Sequence, residues 1–193
     1  MIITIVRHGE TIENRKRICQ GQLPGTLSDR GILQARQLAS SLATAVVPDA
    51  IFCSDLQRAV DTAEILREVI APTLSLQTDK RLRERSFGSF QGCVFPDEES
   101  ELRLPVDAET EQSLLERTQS MADELVALPF RHILVVSHGV TIKALLAHLL
   151  GNVRLYNELP IVGNCSVSEL TIDNHINRNR KLSKLDVSLK KEV

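Results

Sequence analysis

The stretch ITIVRHGETIEN, residues 3–14, joins a buried strand to a polar turn. Its beginning belongs to a continuous apolar and β-branched run, residues 2–6, which is typical of a parallel strand covered on both faces. Arg7, His8 and Gly9 follow at once. Because ligands bind beyond the carboxyl ends of strands in open α/β sheets, this order of residues indicates an anion site.

Two further apolar runs end in the same way. Residues 50–54, AIFCS, are followed one helical turn later by Arg58, and residues 132–137, HILVVS, run directly into His138 and Gly139. Gly139 lies where a helix is expected to begin, and a helix N-terminus presents free N–H groups to an anion. We expect the polar residues after the three strands to converge on one pocket.

Helical patterns separate these strands. Ser28 is the expected N-cap of one helix, and Ser54 or Asp55 is the expected N-cap of a second. A third helix is expected over about residues 109–128. Strands that alternate with helices predict an α/β sandwich with a mostly parallel sheet.

The chain is expected to form one domain over residues 1–193. Within it we expect a short lid-like insertion at about residues 91–110, which contains the acidic stretch PDEESE. A turn-rich segment followed by further apolar residues predicts a C-terminal β-hairpin at about residues 166–188.

Composition excludes several classes of function. The net charge of −2 argues against a protein that binds nucleic acid by bulk charge. No apolar run approaches the roughly 20 residues of a membrane span, and the chain opens on a strand rather than a signal peptide, so we expect a cytoplasmic protein without membrane contact. The four cysteines form no C-x-x-C pair, so neither a metal site nor a disulfide framework is expected.

Two arginines and two histidines together suit phosphoryl transfer. The planar guanidinium matches phosphate oxygens, and its charge opposes protonation of a nearby imidazole. A neutral His8 can therefore attack phosphorus and become a phosphohistidine, while Arg7, Arg58 and His138 spread the charge of the transferred group. The arginines supply this charge without a metal ion. The departing alkoxide needs a proton, and Glu84 in LRERSFG is the candidate donor.

Four motifs occur in order along the chain, RHGETIEN, SDLQRAVDTA, LRERSFGSFQG and VVSHG. With them the sequence resembles the histidine phosphatase superfamily, in its phosphoglycerate mutase-like branch, over about residues 2–172. The resemblance implies a three-layer α/β/α sandwich and phosphorylation of His8. It also implies that Asn14 and the pair Gln20–Gly21 lie in the phosphate site, and that Glu84 is the acid/base carboxylate.

Other interpretations remain open for Glu84, Asn14 and Gln20. Glu84 lies between Arg83 and Arg85, so a surface ion-pair cluster is the other interpretation of that carboxylate. Asn14 and Gln20 are polar residues that also cap turns.

The stretch after the glutamate motif distinguishes mutases from phosphatases within the resemblance. Mutases of this family carry a lysine there that holds the substrate carboxylate, and Phe95 stands in its place here. The acidic stretch PDEESE adjoins it, so we expect a carboxylated substrate to meet negative charge there rather than positive. The sequence is thus more similar to short bacterial phosphatases such as α-ribazole phosphatase.

The expected function is a metal-independent phosphomonoesterase that uses no cofactor and acts on a small phosphorylated metabolite, as a monomer or homodimer. Mutase-type phosphotransfer and a non-catalytic phosphate-binding regulatory module are the alternatives.

Overall fold

The computed structural model describes residues 1–98, 102–173 and 179–185. In these residues the strands are β1 (Ile2–Arg7), β2 (Ala50–Cys53), β3 (Leu76–Thr78), β4 (His132–Ser137), β5 (Val167–Asp173) and β6 (Asn179–Lys184). The α-helices are α1 (Ile12–Arg15), α2 (Asp29–Leu42), α3 (Gln57–Ile70), α4 (Glu111–Ala127), α5 (Gly139–Leu149) and α6 (Leu155–Glu158). Short 3₁₀ turns form at Lys80–Leu82 and Gly88–Phe90.

The strands form one mixed sheet in the order β3-β2-β4-β1-β5-β6. The first four strands of this order are parallel, and β5 and β6 are antiparallel to their neighbours. The mostly parallel sheet predicted from the sequence is confirmed. The antiparallel pair lies at one side, because β5 follows α5 and α6 and returns beside β1 in the opposite direction.

Alternate residues of the central strands enter two separate cores, which gives the three layers. Ile51 and Cys53 pack with α2 and α3, whereas Ala50 and Phe52 face the core formed with α4 and α5. Every residue of β4 is buried, as expected of a strand with helices on both faces. The three-layer α/β/α sandwich is thereby confirmed.

One of the two predicted helix caps is correct. The hydroxyl of Ser28 accepts a hydrogen bond from the backbone N–H of Gly31 at 3.0 Å and begins α2. The prediction of Ser54 or Asp55 as the cap of α3 is wrong, because the N-cap residue is Leu56 and no side chain caps that helix. The Asp55 carboxylate instead forms a bidentate ion pair with Arg83, with both N–O distances 2.6 Å.

Parts of the predicted insertion and hairpin lie outside the described residues. These are residues 99–101 of the acidic stretch and residues 174–178 and 186–188 of the hairpin. β5 and β6 pair antiparallel from Glu169 to Asp173. The single-domain boundaries and the lid remain predictions. No helix in the described ranges combines the length and apolar character needed to cross a bilayer.

Two glycines, Gly31 in α2 and Gly9 in the turn after β1, allow the helix to pack closely against that turn. A methyl group on Gly31 would lie 2.0 Å from the carbonyl oxygen of Glu10, and one on Gly9 would lie 2.7 Å from the carbonyl oxygen of Gly31. Both obstacles are backbone atoms, so neither can move aside as a side chain does. This contact fixes the path of the chain directly after His8.

We expect Gly31→Ala to lower the free energy of unfolding by about 2–3 kcal/mol, because overpacking against backbone outweighs the roughly 1 kcal/mol that alanine gains over glycine in a helix. Urea denaturation measures the change. Gln37→Ala, at an exposed position of the same helix, is the control and should stay within about 0.5 kcal/mol of the wild type. A Gly31→Ala protein that is more stable than the wild type would show that helix propensity outweighs the backbone contact in the free energy of unfolding.

Candidate active site

A cavity of about 490 Å³ opens at the carboxyl ends of β1 and β4. Its lining includes eight of the nine residues predicted for the site, namely Arg7, His8, Asn14, Gln20, Gly21, Arg58, Glu84 and Gly139. The ninth, His138, is fully buried and stands next to His8, which does line the cavity. A second and larger groove, of about 740 Å³, lies between α4 and the end of α5 and contains none of these residues.

His8 is buried with one ring nitrogen held by the backbone. Its Nδ1 lies 2.8 Å from the carbonyl oxygen of Gly9. A carbonyl can only accept, so Nδ1 carries the proton of the neutral ring and Nε2 carries the lone pair. Burial, and then the charges of Arg58 and Arg7, hold the pKa of His8 well below its ordinary value. The imidazole is therefore neutral, with a nucleophilic nitrogen.

The two arginines are fixed by backbone carbonyl groups. Arg58 is buried, and it donates to the carbonyl oxygens of Gly21 at 2.7 Å and Leu23 at 2.9 Å. Burial lowers the pKa of Arg58 to about 10, so the group is still charged at neutral pH. Arg7 donates to the carbonyl oxygen of Val162 at 2.6 Å. Two positive charges thus flank the His8 ring, as a phosphate dianion requires.

His138 stands beside His8, with 5.1 Å between the ring centroids. It is the N-cap residue of α5, and neither ring nitrogen has a hydrogen-bond partner in the part of the chain that the structure describes. Burial, and then the charge of Arg58, lower the pKa of His138 well below its ordinary value. Buried polar atoms normally have partners, so this ring favours a ligand that completes its hydrogen bonding.

Gly139 allows Arg7 to lie against the start of α5. A methyl group at Gly139 would stand 3.5 Å from the Arg7 guanidinium carbon and 2.8 Å from Ile161. A larger residue would therefore push Ile161 aside and crowd the guanidinium.

Glu84 also lies at the start of α5. Its carboxylate accepts hydrogen bonds from the backbone N–H groups of Val140 and Thr141, each at 3.2 Å, and from the Thr141 hydroxyl at 3.2 Å. Its flanking arginines have other partners, since Arg83 pairs with Asp55 and Arg85 donates to a backbone carbonyl at 2.9 Å. The ion-pair cluster considered as the alternative for Glu84 is not formed among the described residues. The N-terminus of α5 and the backbone N–H of Arg85, which donates to it at 2.8 Å, orient this carboxylate, and no guanidinium among the described residues pairs with it.

Asn14 lies both at the start of α1 and in the lining of the cavity. It completes a capping box with Thr11 at the start of α1, and it also lines the cavity. Its side-chain oxygen accepts a hydrogen bond from Asn164 at 3.3 Å, and Asn164 also donates to the carbonyl oxygen of His8 at 3.0 Å.

Gln20 and Gly21 form the loop that receives Arg58. Gly21 has a φ of +50°, which favours glycine, and its carbonyl oxygen accepts from Arg58 at 2.7 Å. The side-chain oxygen of Gln20 is buried and has no hydrogen-bond partner among residues 1–98, 102–173 and 179–185. Both residues thus lie in the cavity wall, and their contact with phosphate remains a prediction.

Sequence reasoning missed the segment between α6 and β5. Val162 and Asn164 come from this segment, and they hold Arg7 and the backbone of His8. Val162 acts only through its carbonyl oxygen, so its side chain gives no signal of this contact. Asn164 has no motif around it that links it to the first strand.

The outer wall of the cavity carries positive charge that the sequence did not indicate. Arg85 and Lys143 line it, and Lys143 lies one helical turn after Gly139 on α5. Asp97, from the acidic stretch, also lines the cavity, but it is paired with Arg17. The expectation that the acidic stretch makes this wall negative is therefore not supported by its described part.

The rest of the outer wall is apolar, with the side chains of Phe87, Phe95, Leu102, Leu104 and Ile161. The described residues contain no group of three or more histidine, cysteine or acidic side chains arranged to hold a metal ion. The arrangement can thus bind an anion deep in the cavity and a partly apolar group above it.

Comparison with known proteins agrees with this geometry. Probable phosphoglycerate mutase GpmB from Proteus mirabilis is 32% identical over an alignment of 186 residues that covers 89% of this chain and 85% of that protein. The α-ribazole phosphatase of Shigella flexneri has a similar structure, with a TM-score of 0.83 and 26% identity over 96% of both chains. The mycobacterial glucosyl-3-phosphoglycerate phosphatase in complex with VO₃ also has a TM-score of 0.83, with 30% identity over 96% of this chain and 98% of that one.

The sequence profile of the histidine phosphatase superfamily (branch 1) matches residues 3–184. This match includes all nine residues predicted for the site. The chain belongs to branch 1 of the histidine phosphatase superfamily.

Proposed function

We propose that the protein is a metal-independent phosphomonoesterase that transfers the phosphoryl group first to His8 and then to water. The observation that carries this proposal is the state of the His8 ring. It is neutral, it lies between two guanidinium groups, and the Gly9 carbonyl holds its proton on Nδ1. Nε2 is then the nitrogen that attacks phosphorus.

In the first step the phosphate dianion is bound by Arg7 and Arg58, and His138 donates to one of its oxygens. The Nε2–P bond forms as the bond from phosphorus to the ester oxygen breaks. Glu84, at the edge of the cavity, gives its proton to the departing alkoxide. The alcohol leaves, and the phosphohistidine remains.

In the second step water replaces the alcohol. Glu84 takes a proton from the water as its oxygen attacks phosphorus, and the N–P bond breaks. Orthophosphate and neutral His8 result, with Glu84 protonated again. Asn14, Gln20 and Gly21 line the phosphate site, and the apolar outer wall receives the alcohol part of a small phosphorylated metabolite.

The related structures support hydrolysis over other uses of the same site. Both of those proteins are phosphatases by name, and each similarity covers 96% of this chain. The reaction as proposed needs no cofactor.

One observation favours a second candidate, a phosphoglycerate mutase-type transfer. Arg85 and Lys143 give the outer wall two positive groups, which suit a carboxylated substrate although Phe95 replaces the mutase lysine. A mutase returns the phosphoryl group to a second hydroxyl and therefore releases little phosphate. The two candidates differ in product, so one assay separates them.

We expect wild-type protein to release phosphate from phosphomonoesters in EDTA, and His8→Ala to lose at least about a thousandfold in kcat because the nucleophile is gone. The assay uses sugar phosphates, nucleotides, α-ribazole phosphate and 3-phosphoglycerate. His148→Gln, in the separate groove, is the control and should keep its turnover. Isomerisation of 3-phosphoglycerate that requires a bisphosphate would identify a mutase. Phosphate binding without turnover would identify a binding module.

Glu84→Gln should slow the first turnover of an alkyl phosphate by about 10²–10⁴-fold, since a poor leaving group needs the proton that the carboxyl supplies. First-turnover release of p-nitrophenol from p-nitrophenyl phosphate should change far less, because that phenolate leaves without a proton. Rapid-quench measurement of the alcohol released per active site gives both rates. Equal losses for the two esters would show that Glu84 is not the proton donor.

The His8 imidazole should remain neutral through pH 6.5, the midpoint of an ordinary histidine, because burial and the two arginines disfavour its charged form. Arg58→Gln removes one of these cations and should raise the pKa of His8, so that protonation begins at higher pH. Titration of the ¹⁵N-labelled imidazole by NMR measures both midpoints. A wild-type midpoint at or above 6.5 would contradict the neutral nucleophile.

A further inference from the structure

Cys19 and Cys93 face each other across a short antiparallel pairing at the mouth of the cavity. Ile18 and Val94 form the bridge, and the backbone N–H of Cys19 donates to the carbonyl oxygen of Cys93 at 2.8 Å. The N–H of Phe95 donates to the carbonyl oxygen of Arg17 at 2.8 Å on the other side of the bridge. The register therefore places the two cysteines directly opposite each other.

A turn at Gly92 fixes this register. Gln91 has φ −62° and ψ 133°, Gly92 has φ +91°, and the N–H of Cys93 donates to the carbonyl oxygen of Phe90 at 3.1 Å. These are the features of a type II turn. The N–H of Gly92 also donates to the carbonyl oxygen of Cys19 at 2.8 Å, which makes a β-bulge with glycine as its extra residue. Cys93 is then the residue paired with Cys19.

Cys19 and Cys93 share one of the two N–H···O bonds of a regular hydrogen-bonded pair, in which the Cα atoms lie about 5.5 Å apart. Disulfides span Cα distances of about 4.4–6.8 Å. We propose that Cys19 and Cys93 are a modification site, where oxidation by a hydroperoxide closes a reversible disulfide across the mouth of the cavity. Both thiols are free in the structure. This disulfide is a feature separate from the proposed hydrolysis, and it can form whether or not the protein catalyses that reaction.

The environments of the two thiols set the order of events. Cys93 is exposed, whereas Cys19 is buried and its pKa is raised to about 12, chiefly by burial and then by the charge of Glu84. The accessible Cys93 therefore reacts first. Its sulfur takes an oxygen from the hydroperoxide, which is reduced to an alcohol or water, and becomes a sulfenic acid. The Cys19 sulfur then bonds to the Cys93 sulfur, and the hydroxyl group leaves with the Cys19 proton as water.

The crosslink would join two parts of the cavity wall. Cys19 immediately precedes Gln20 and Gly21, whose loop accepts the hydrogen bond from Arg58. Cys93 is two residues before Phe95, which belongs to the apolar outer wall. A disulfide ties the outer wall to the phosphate loop and limits how far the mouth can open. Bulky esters should then turn over more slowly than small ones.

The test treats the full-length protein with hydrogen peroxide, blocks the remaining thiols and maps the crosslink by mass spectrometry. We expect a Cys19–Cys93 peptide that is lost on reduction with dithiothreitol. It should be absent from Cys93→Ser and retained in Cys53→Ala, which removes a buried thiol of β2. Cys93 does not line the cavity, so reduced Cys93→Ser should keep wild-type turnover.

Gly92→Ala tests the register itself. A methyl group there would meet nothing closer than Leu23 at 3.9 Å, so the substitution disfavours only the positive φ. We expect the crosslink to form at least about fivefold more slowly in this variant. Irreversible oxidation of Cys93 with Cys19 still free, or dimers joined through Cys93 alone, would overturn the proposal. A mapped crosslink that leaves the turnover of small and bulky esters equally unchanged would refute the effect on the cavity mouth.

Discussion

Parallel pairing of β1 and β4 in one register determines where the reactive side chains stand. Arg7 lies opposite Ser137, so the next residues, His8 and His138, leave the sheet side by side. A slip of one residue would send every following side chain of one strand to the other face. Burial of both strands on both faces prevents such a slip, because their apolar residues fill two cores at once. Packing of β1 and β4 in the two cores therefore fixes the spacing of the two imidazole rings.

Burial of charge is the main energetic cost of this arrangement. Arg58 is almost completely enclosed, and backbone carbonyl groups of Gly21 and Leu23 compensate its guanidinium. The loop that carries these carbonyls is thus folded around the cation that binds phosphate. The two histidines remain neutral in the same enclosure, so the charge needed to hold an anion does not protonate the group that attacks it. Burial and position thus allow one site both to bind an anion with positive charge and to keep the attacking imidazole neutral.

Sequence patterns predicted the strands, the long helices and the convergence of residues from three strand ends, because these follow from apolar periodicity and chain order. They did not predict contacts that depend on backbone atoms of distant segments. Val162 holds Arg7 through its carbonyl oxygen, and the Asp55 carboxylate pairs with Arg83 instead of capping α3, whose N-cap is Leu56. The charge of the outer wall was also misjudged from PDEESE, since local composition does not show that Lys143 reaches the same cavity.

The two ends of the sheet differ in a way that bears on self-association. At one end β3 is only three residues long, so it offers a neighbouring molecule few free backbone groups. At the other end β6 carries Arg180, Lys181 and Lys184 within six residues. A second copy that added a strand there would bring like charges together. Among the described residues, both edges of the sheet thus disfavour edge-to-edge pairing with a second copy.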